Sequence, residues 1–184
     1  MAGNRLKPTR FGSLEGELEA GSRKREVTMT PSLPLPAKIM TTNIKTIDEM
    51  REFARSVAAD LKGGDIIGLV GELGAGKTTF TQYLAEALGI ENDIKSPTFI
   101  LFREYTTGEA LKKRGILKLV HADAYRIEEE DEFWSIGFDD SITELDTVTV
   151  IEWSDKLPSM RDYSTYREFK FSFGEGEERI IQPV

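Results

Sequence analysis

The first regular pattern of apolar residues begins near residue 46 and repeats every three or four positions. This spacing places apolar side chains on one face of a helix. The positions concerned are Ile47, Met50, Phe53, Ala54, Val57, Ala58 and Leu61. Thr46, with Glu49 three residues later, resembles a capping box at the start of this helix. Gly63 and Gly64 follow the last apolar position, and we expect them to end the helix.

A short apolar run follows these glycines and changes the predicted structure from helix to strand. The run consists of Ile66, Ile67, Leu69 and Val70, interrupted by Gly68. Continuous apolar runs with β-branched residues are typical of strands buried on both faces of a sheet. After a glycine-rich segment, Lys77–Leu88 is predicted to be a second helix that ends at Gly89.

The rest of the chain continues the alternation of strands and helices. We predict strands at Thr98–Glu104, Ile116–Ala122 and Thr147–Trp153, and an acidic helical segment at Glu128–Gly137. The C-terminal end predicts an antiparallel hairpin. Its parts are the alternating Phe169, Phe171 and Phe173, a turn at Gly174-Glu-Gly176 and a return at Arg179-Ile-Ile. Together these elements indicate an α/β domain with a mostly parallel central sheet.

Residues 1–39 differ in composition from the rest of the chain. They mix Gly, Ser, Pro and charged residues, with a Pro-rich stretch at Pro31–Pro36 and no apolar periodicity. Such a segment buries too little apolar surface to offset its ordering entropy. We predict a disordered extension over 1–39, or a true start nearer Met29 or Met40, followed by one domain over 40–184. A transit peptide is the alternative, but Glu residues at 15, 17, 19 and 26 argue against it.

Charge and composition narrow the class of function. The chain has 184 residues, no cysteine and a net charge of −8. No apolar run approaches the ~18 residues that span a bilayer, and the absence of thiols suits a reducing compartment, so we expect a cytoplasmic protein without membrane contact. A protein that holds nucleic acid alone usually has a basic surface. We therefore expect any RNA in its pathway to be held by another subunit.

The glycine-rich segment after the first predicted strand contains the residues that indicate a function. Gly71-x-x-x-x-Gly76-Lys77-Thr78 matches the Walker A pattern and lies between the predicted strand and helix. Glycines let backbone amides surround a phosphate, lysine reaches the β- and γ-phosphates, and the threonine hydroxyl binds Mg²⁺. The pattern predicts a P-loop NTPase-like three-layer domain. The predicted nucleotide-binding residues of the loop are Gly71, Leu73, Gly74, Ala75, Gly76, Lys77, Thr78 and Thr79.

A P-loop site also needs an acidic residue at the end of a neighbouring strand. Asp123 and Glu152 each follow a predicted strand, where ligands bind in open α/β sheets. Either acid is a candidate for holding Mg²⁺ and for positioning water, and the alternative for each is a solvated surface charge. The Asn/Thr-Lys-x-Asp element that reads guanine does not occur, which favours ATP as the nucleotide.

Four segments together resemble one family. They are Gly71–Phe80 with the P-loop, Ser96-Pro97-Thr98-Phe99, His121-Ala-Asp123-Ala-Tyr125-Arg126 and Ile151-Glu152-Trp153. In this order and spacing they resemble the bacterial TsaE (YjeE-type) family, the ATPase of the tRNA threonylcarbamoyladenosine pathway. The resemblance extends from about residue 42 to the end, so residues 1–39 lie outside the family's core.

The resemblance implies roles for particular residues. It implies that Thr78 and Glu152 bind Mg²⁺, and that Asp123 orients or activates the attacking water. Ser96 and Thr98 correspond to a switch-like segment near the γ-phosphate. The further nucleotide contacts that it implies are Trp153, Arg179 and Asp48. From the residues alone, Trp153 is equally well an ordinary core aromatic, and His121, the single histidine, is best interpreted as structural.

The resemblance also implies a function and partners. We expect a Mg²⁺-dependent ATPase with Lys77, Asp123 and Glu152 as catalytic residues, working with a TsaB–TsaD transferase complex that carries the tRNA. A P-loop small-molecule kinase is the alternative, although Arg103, Arg114 and Arg126 are scattered rather than clustered as in a lid. A binding module that nucleotide merely switches is a third hypothesis.

Overall fold

The computed structural model of the protein describes residues 40–91, 94–97, 101–135, 137–142 and 144–184. The predicted extension over 1–39, the predicted nucleotide contact Thr98 and the first part of the strand predicted at Thr98–Glu104 lie outside these residues. None of the helices among the described residues is long and apolar enough to cross a bilayer.

The first helix, α1 (Ile47–Asp60), begins where its capping residues predict. Thr46 Oγ1 accepts a hydrogen bond from the Glu49 amide at 3.2 Å, and the Glu49 carboxylate accepts from the Thr46 amide at 3.3 Å. The capping box is therefore confirmed, and it satisfies amides that have no partner inside the helix. The helix ends before the predicted Gly63 and Gly64, because the next residue, Leu61, is already extended.

Seven strands of the described chain form one sheet with the order β1-β7-β6-β2-β5-β4-β3. The strands are β1 (Thr42–Ile44), β2 (Ile66–Gly71), β3 (Phe102–Thr106), β4 (Lys118–Asp123), β5 (Thr147–Glu152), β6 (Tyr166–Phe173) and β7 (Arg179–Pro183). The four central strands run parallel. The antiparallel pairs lie at the two sides of the sheet. This arrangement confirms the predicted mostly parallel sheet and the C-terminal antiparallel hairpin.

Helices cover both faces of the sheet and give the predicted three layers. On one face, α1 and α2 (Lys77–Ala87) pack in a core around Phe80 and Leu84. On the other face lies a second core around Phe133 and Phe138. Its elements are α4 (Glu130–Ser135), α5 (Phe138–Ile142) and two short 3₁₀ turns at Ser154–Lys156 and Pro158–Asp162. The strand β2 is buried on both faces, as its apolar run predicts.

Several elements differ from the sequence prediction. Strand β3 begins at Phe102 and extends two residues past the predicted end at Glu104. The acidic segment Glu128–Gly137 is helical only over α4. The sequence did not predict β1, the one-turn helix α3 (Glu109–Lys112) or α5. These elements have three to five residues, which is too short for a periodic pattern to be recognised.

Gly68 in the middle of β2 allows a polar cluster to pack against the sheet. A Cβ at this position would overlap the hydroxyl of Tyr166 and lie 2.6 Å from Ser154 Oγ. The Tyr166 hydroxyl donates to Glu168 Oε2 at 2.7 Å, and Arg161 donates to both oxygens of the same carboxylate at 3.0 and 3.1 Å. Burial raises the pKa of Tyr166, so the ring keeps its proton and can donate. The glycine is therefore required by close packing rather than by backbone conformation.

We expect Gly68→Ala to lower the free energy of unfolding by about 1–3 kcal/mol, because the added methyl overpacks the contact with Tyr166 and Ser154. Urea denaturation followed by circular dichroism measures the change. The control is the same substitution in a Tyr166→Leu background, where the shorter side chain removes the hydroxyl and part of the ring from the contact. An equal cost in both backgrounds would show that Tyr166 is not the obstacle.

Candidate functional site

The glycine-rich loop joins β2 directly to α2 and curves back on itself. Gly74 and Gly76 have φ angles of +80° and +101°, which side chains with a Cβ rarely adopt. Gly76 is the residue that precedes the first turn of α2, so the unpaired amides of that turn face the loop. These amides and the positive end of the helix dipole form a cradle suited to an anion.

Lys77 is held within the loop by three contacts. Its Nζ donates to the carbonyl oxygens of Gly71 at 2.7 Å and Glu72 at 2.9 Å, and lies 3.9 Å from the centre of the Trp153 ring. Burial lowers the pKa of the Lys77 amine, and the negative charges of Glu152 and Asp123 oppose this shift. The ammonium is thus oriented by backbone groups at the start of the loop and by the Trp153 ring.

Trp153 reaches Lys77 because the backbone turns sharply after β5. Its φ of +59° lies in the left-handed region, which is uncommon for a bulky residue and is frequent at functional sites. The Trp153 amide donates to the Leu69 carbonyl at 2.8 Å, which fixes this turn against β2. The ring of Tyr125, 45% exposed, packs at a centroid distance of 5.1 Å on the same indole. The indole therefore forms one wall of the site.

Glu152 ends β5 and lies buried beside the first turn of α2, with 3% of the residue exposed. The Thr78 hydroxyl is 2.9 Å from both of its carboxylate oxygens. His121 Nε2 lies 2.9 Å from Glu152 Oε1. In the register of the parallel pair β4–β5, Asp123 is directly opposite Glu152. Two strand-end carboxylates and one hydroxyl therefore meet at the carboxyl edge of the sheet.

These donors fit Mg²⁺. The ion prefers oxygen ligands and usually takes one or two carboxylates together with substrate phosphates. The Thr78 hydroxyl and the Glu152 carboxylate supply such oxygens beside the phosphate cradle. No group of three or more His, Cys, Asp or Glu suited to a metal occurs in the part of the chain that the structure describes. A hydroxyl and a carboxylate suit an ion that is also bound by substrate phosphates.

Asp123 is hydrogen bonded on both carboxylate oxygens. Ser96 Oγ donates to one oxygen at 2.5 Å, and the Tyr125 amide donates to the other at 2.9 Å. The Asp123 amide also donates to the carbonyl of Leu101, at the far side of the segment that contains Ser96. The structure thus brings Ser96, one of the two residues predicted for the switch-like segment, into contact with Asp123.

An open cavity of about 350 Å³ lies over the loop. The predicted site residues that line it are Leu73, Gly74, Gly76, Lys77, Thr78, Thr79, Ser96, Asp123, Glu152 and Trp153. Gly71 contributes a carbonyl that binds Lys77, and Ala75 is fully buried beneath the loop. Tyr125 also lines the cavity, which the sequence prediction did not include.

Besides Gly71 and Ala75, the predicted contact residues Asp48 and Arg179 do not line this cavity. Asp48 lies near the start of α1, with a side chain that is 88% exposed and paired to Arg51 at 3.0 Å. Arg179 lies at the edge of the loop, where its guanidinium is 4.7 Å from the centre of the Phe173 ring and 3.5 Å from the Gly74 carbonyl. Contacts of these two side chains with a nucleotide remain predictions.

The contact between His121 and Glu152 was not predicted. The sequence favoured a structural histidine because no partner was visible within the local motif. The partner lies 31 residues further along the chain, on the neighbouring strand. One signal was available: residues two apart in a strand share a face, so His121 and Asp123 are expected to face the same side.

Comparison with known proteins agrees with this geometry. A family model described as "Threonylcarbamoyl adenosine biosynthesis protein TsaE" matches residues 44–181. The tRNA threonylcarbamoyladenosine biosynthesis protein TsaE of Bacillus subtilis is 40% identical over 118 residues, covering 62% of this chain and 68% of that protein. The protein of the same name from Nostoc sp. is 33% identical over 154 residues, covering 76% of this chain and 89% of its own.

A solved structure supports the same assignment. The crystal structure of Bacillus subtilis YdiB aligns with a TM-score of 0.56 and 28% identity, covering 77% of this chain and 82% of that one. The likeness is consistent with the P-loop-like fold that the sheet order and the loop display. The family match spans both the P-loop and Glu152, so it includes the cavity described above. The chain therefore belongs to the TsaE family, which takes part in tRNA threonylcarbamoyladenosine biosynthesis.

Proposed function

We propose that this protein is a Mg²⁺-dependent ATPase that supports tRNA threonylcarbamoyladenosine formation by a TsaB–TsaD transferase complex, and that residues 40–184 form its ATPase domain. The observation that carries the proposal is the convergence of Lys77, the Thr78–Glu152 pair and Asp123 on one cavity above the P-loop. Membership of the TsaE family supports the pathway.

The phosphates of ATP bind to the loop and to Lys77. The glycines at 74 and 76 leave the amides of the loop accessible, and the start of α2 adds its dipole. The Lys77 ammonium neutralises charge on the β- and γ-phosphates. Its hydrogen bonds to the Gly71 and Glu72 carbonyls hold it beside the loop. Catalysis by such a site consists mainly of positioning and charge stabilisation.

Thr78 and Glu152 are the residues that hold Mg²⁺ in this proposal. An ion held there would neutralise charge on the phosphate oxygens. Asp123 accepts a hydrogen bond from the attacking water. The water oxygen forms a bond to the γ-phosphorus while the bond between the γ-phosphorus and the β–γ bridging oxygen breaks, which releases ADP and phosphate. The proton that the water loses passes to Asp123 and from there to solvent. Ser96 donates to one oxygen of Asp123 and the Tyr125 amide donates to the other. A carboxylate oxygen can accept a second hydrogen bond, so Asp123 can accept from the water while these contacts are kept.

The partner assignment has support from charge and exposure. The net charge of −8 disfavours direct binding of tRNA, which the transferase complex would carry. Leu73, 75% exposed, and Tyr125, 45% exposed, flank the cavity and offer apolar contact area to a protein. We expect slow hydrolysis by the protein alone and faster hydrolysis when the partner contacts this rim, in the cytoplasm.

The first experiment measures Mg²⁺-dependent release of phosphate from ATP by the full chain, alone and with purified TsaB–TsaD. We expect stimulation by the partners and a loss of about 10²- to 10³-fold in Lys77→Ala, because the main stabilising cation is removed. Lys62→Ala is the matched control, since Lys62 is an exposed lysine before β2, at the opposite end of that strand from the loop.

Two results would contradict the proposal. Phosphate transfer from ATP to a metabolite instead of water would indicate the alternative P-loop small-molecule kinase. Tight nucleotide binding without hydrolysis, even with TsaB–TsaD present, would indicate a binding module that nucleotide switches.

A second experiment separates the roles of the two carboxylates. We expect Glu152→Gln to raise the Mg²⁺ concentration for half-maximal activity by at least about tenfold, because it weakens a metal ligand. Asp123→Asn is expected to lower kcat by about 10²-fold with little change in the Mg²⁺ requirement, because it affects the attacking water. Titration of Mg²⁺ at saturating ATP measures both quantities, and an exchange of the two phenotypes would reverse the assignment.

A further inference from the structure

His121, the only histidine of the chain, is completely buried in β4. Its strand neighbour Leu119 belongs to the core under α1 and α2, whereas Val120 and Ala122 belong to the core on the opposite face. Since residues two apart share a face, the His121 ring lies on the side of the sheet that carries the P-loop helix. A histidine in this position can serve the site or simply fill the core.

The register of β4 and β5 places the ring beside Glu152. Asp123 is opposite Glu152, and His121 is opposite Val150, one step further from the edge of the sheet on the same face. From there His121 Nε2 reaches Glu152 Oε1 at 2.9 Å. A carboxylate can only accept, so the ring N–H is the donor in this hydrogen bond.

The polar contacts of the ring are directed at Glu152. Among the described residues His121 Nδ1 has no hydrogen-bond partner, so Glu152 is the partner that fixes the ring. On the carboxylate, Oε1 receives both the His121 ring and the Thr78 hydroxyl. Thr78 is itself expected to bind the metal, so it cannot hold Glu152 independently of the metal. His121 is not a proposed metal ligand and can hold Glu152 whether or not the metal is bound.

We propose that His121 is a positioning residue that holds the Glu152 carboxylate in place for Mg²⁺, an inference that rests on the proposed metal-binding role of Glu152. A glutamate has three side-chain torsions to fix, and outer hydrogen bonds of this kind orient metal ligands in proteins. The ring contacts the ligand and acts through it, so its effect is on the affinity for the metal rather than on the affinity for the nucleotide.

Two substitutions of His121 distinguish a role in positioning Glu152 from a role in filling the core. The amide nitrogen of Gln extends about as far as Nε2, so His121→Gln keeps a donor toward Glu152. His121→Leu has a similar bulk and no donor. A histidine that only fills the core would tolerate leucine without any effect on Mg²⁺, whereas a positioning histidine would not.

The experiment is calorimetric titration of the full chain with ADP, in EDTA and over a series of Mg²⁺ concentrations. We expect His121→Leu to raise the Mg²⁺ concentration that half-maximally enhances ADP binding by about tenfold or more. Its affinity for ADP in EDTA should stay within about twofold of the unmodified protein. His121→Gln should remain within about threefold for both quantities.

Thr149→Val is the control that shows whether the loss of any buried polar group from the sheet changes the Mg²⁺ response. Thr149 is buried in β5, and its partners on the two neighbouring strands, Ile66 and Val120, belong to the core around Phe133 and Phe138. Its hydroxyl has no hydrogen-bond partner among the described residues. We expect no change in the Mg²⁺ response. An unchanged response in His121→Leu would overturn the role of His121 alone. An absence of any Mg²⁺ enhancement in the unmodified protein would overturn the metal site, and the role of His121 with it.

A spectroscopic test needs no substitution and applies even if a variant fails to fold. Because the chain has one histidine, ¹⁵N-histidine labelling of the tag-free protein gives the signals of a single imidazole. We expect a slowly exchanging proton on Nε2, and a shift of that signal when Mg²⁺ is added to the ADP complex. A proton on Nδ1 with Nε2 bare, or a signal that Mg²⁺ leaves unchanged, would contradict the proposal.

Discussion

The carboxylate of Glu152 lies out of water at the end of β5, and the surrounding site is arranged around it. A buried carboxylate costs several kcal/mol unless donors and positive charge surround it. Here Thr78 and His121 lie within hydrogen-bond distance, and Lys77 lies near enough for its charge to interact. The same groups are those that we propose to bind a metal and phosphates. The hydrogen bonds and the positive charge that stabilise the buried Glu152 carboxylate therefore also place these groups around the proposed binding site.

The sequence predicted the parts of the site that follow from local pattern. The strand, loop and helix around Lys77 are contiguous, and the capping box at Thr46 spans four residues, so both were visible without tertiary information. Asp123 and Glu152 were found because each follows an apolar run. The assignment of roles between them still depended on the family resemblance, since either acid satisfies the pattern.

The contacts that the sequence did not reveal are non-local. The strand β6 pairs with β2, whose paired residues lie 100 positions earlier in the chain, and neither strand has a local pattern that specifies this partner. Side-chain contacts across the sheet, such as His121 with Glu152, depend on register, which the packing of both faces determines. The packing of Tyr166 against Gly68 is a further example. The need for glycine in β2 cannot be predicted from the sequence, because it depends on the ring of a residue on another strand.

The register of β5 also determines where Glu152, the proposed metal ligand, lies. A shift of β5 by one residue would turn Glu152 toward the apolar core around Phe133 and Phe138, where the burial of a carboxylate has no compensation. The backbone after Glu152 opposes such a shift, because the Trp153 amide is bound to Leu69 and its ring faces Lys77. The left-handed backbone of Trp153 costs on the order of 1 kcal/mol. Its contact with the lysine, worth a comparable amount when desolvated, offsets this strain and ties the end of β5 to the phosphate-binding loop.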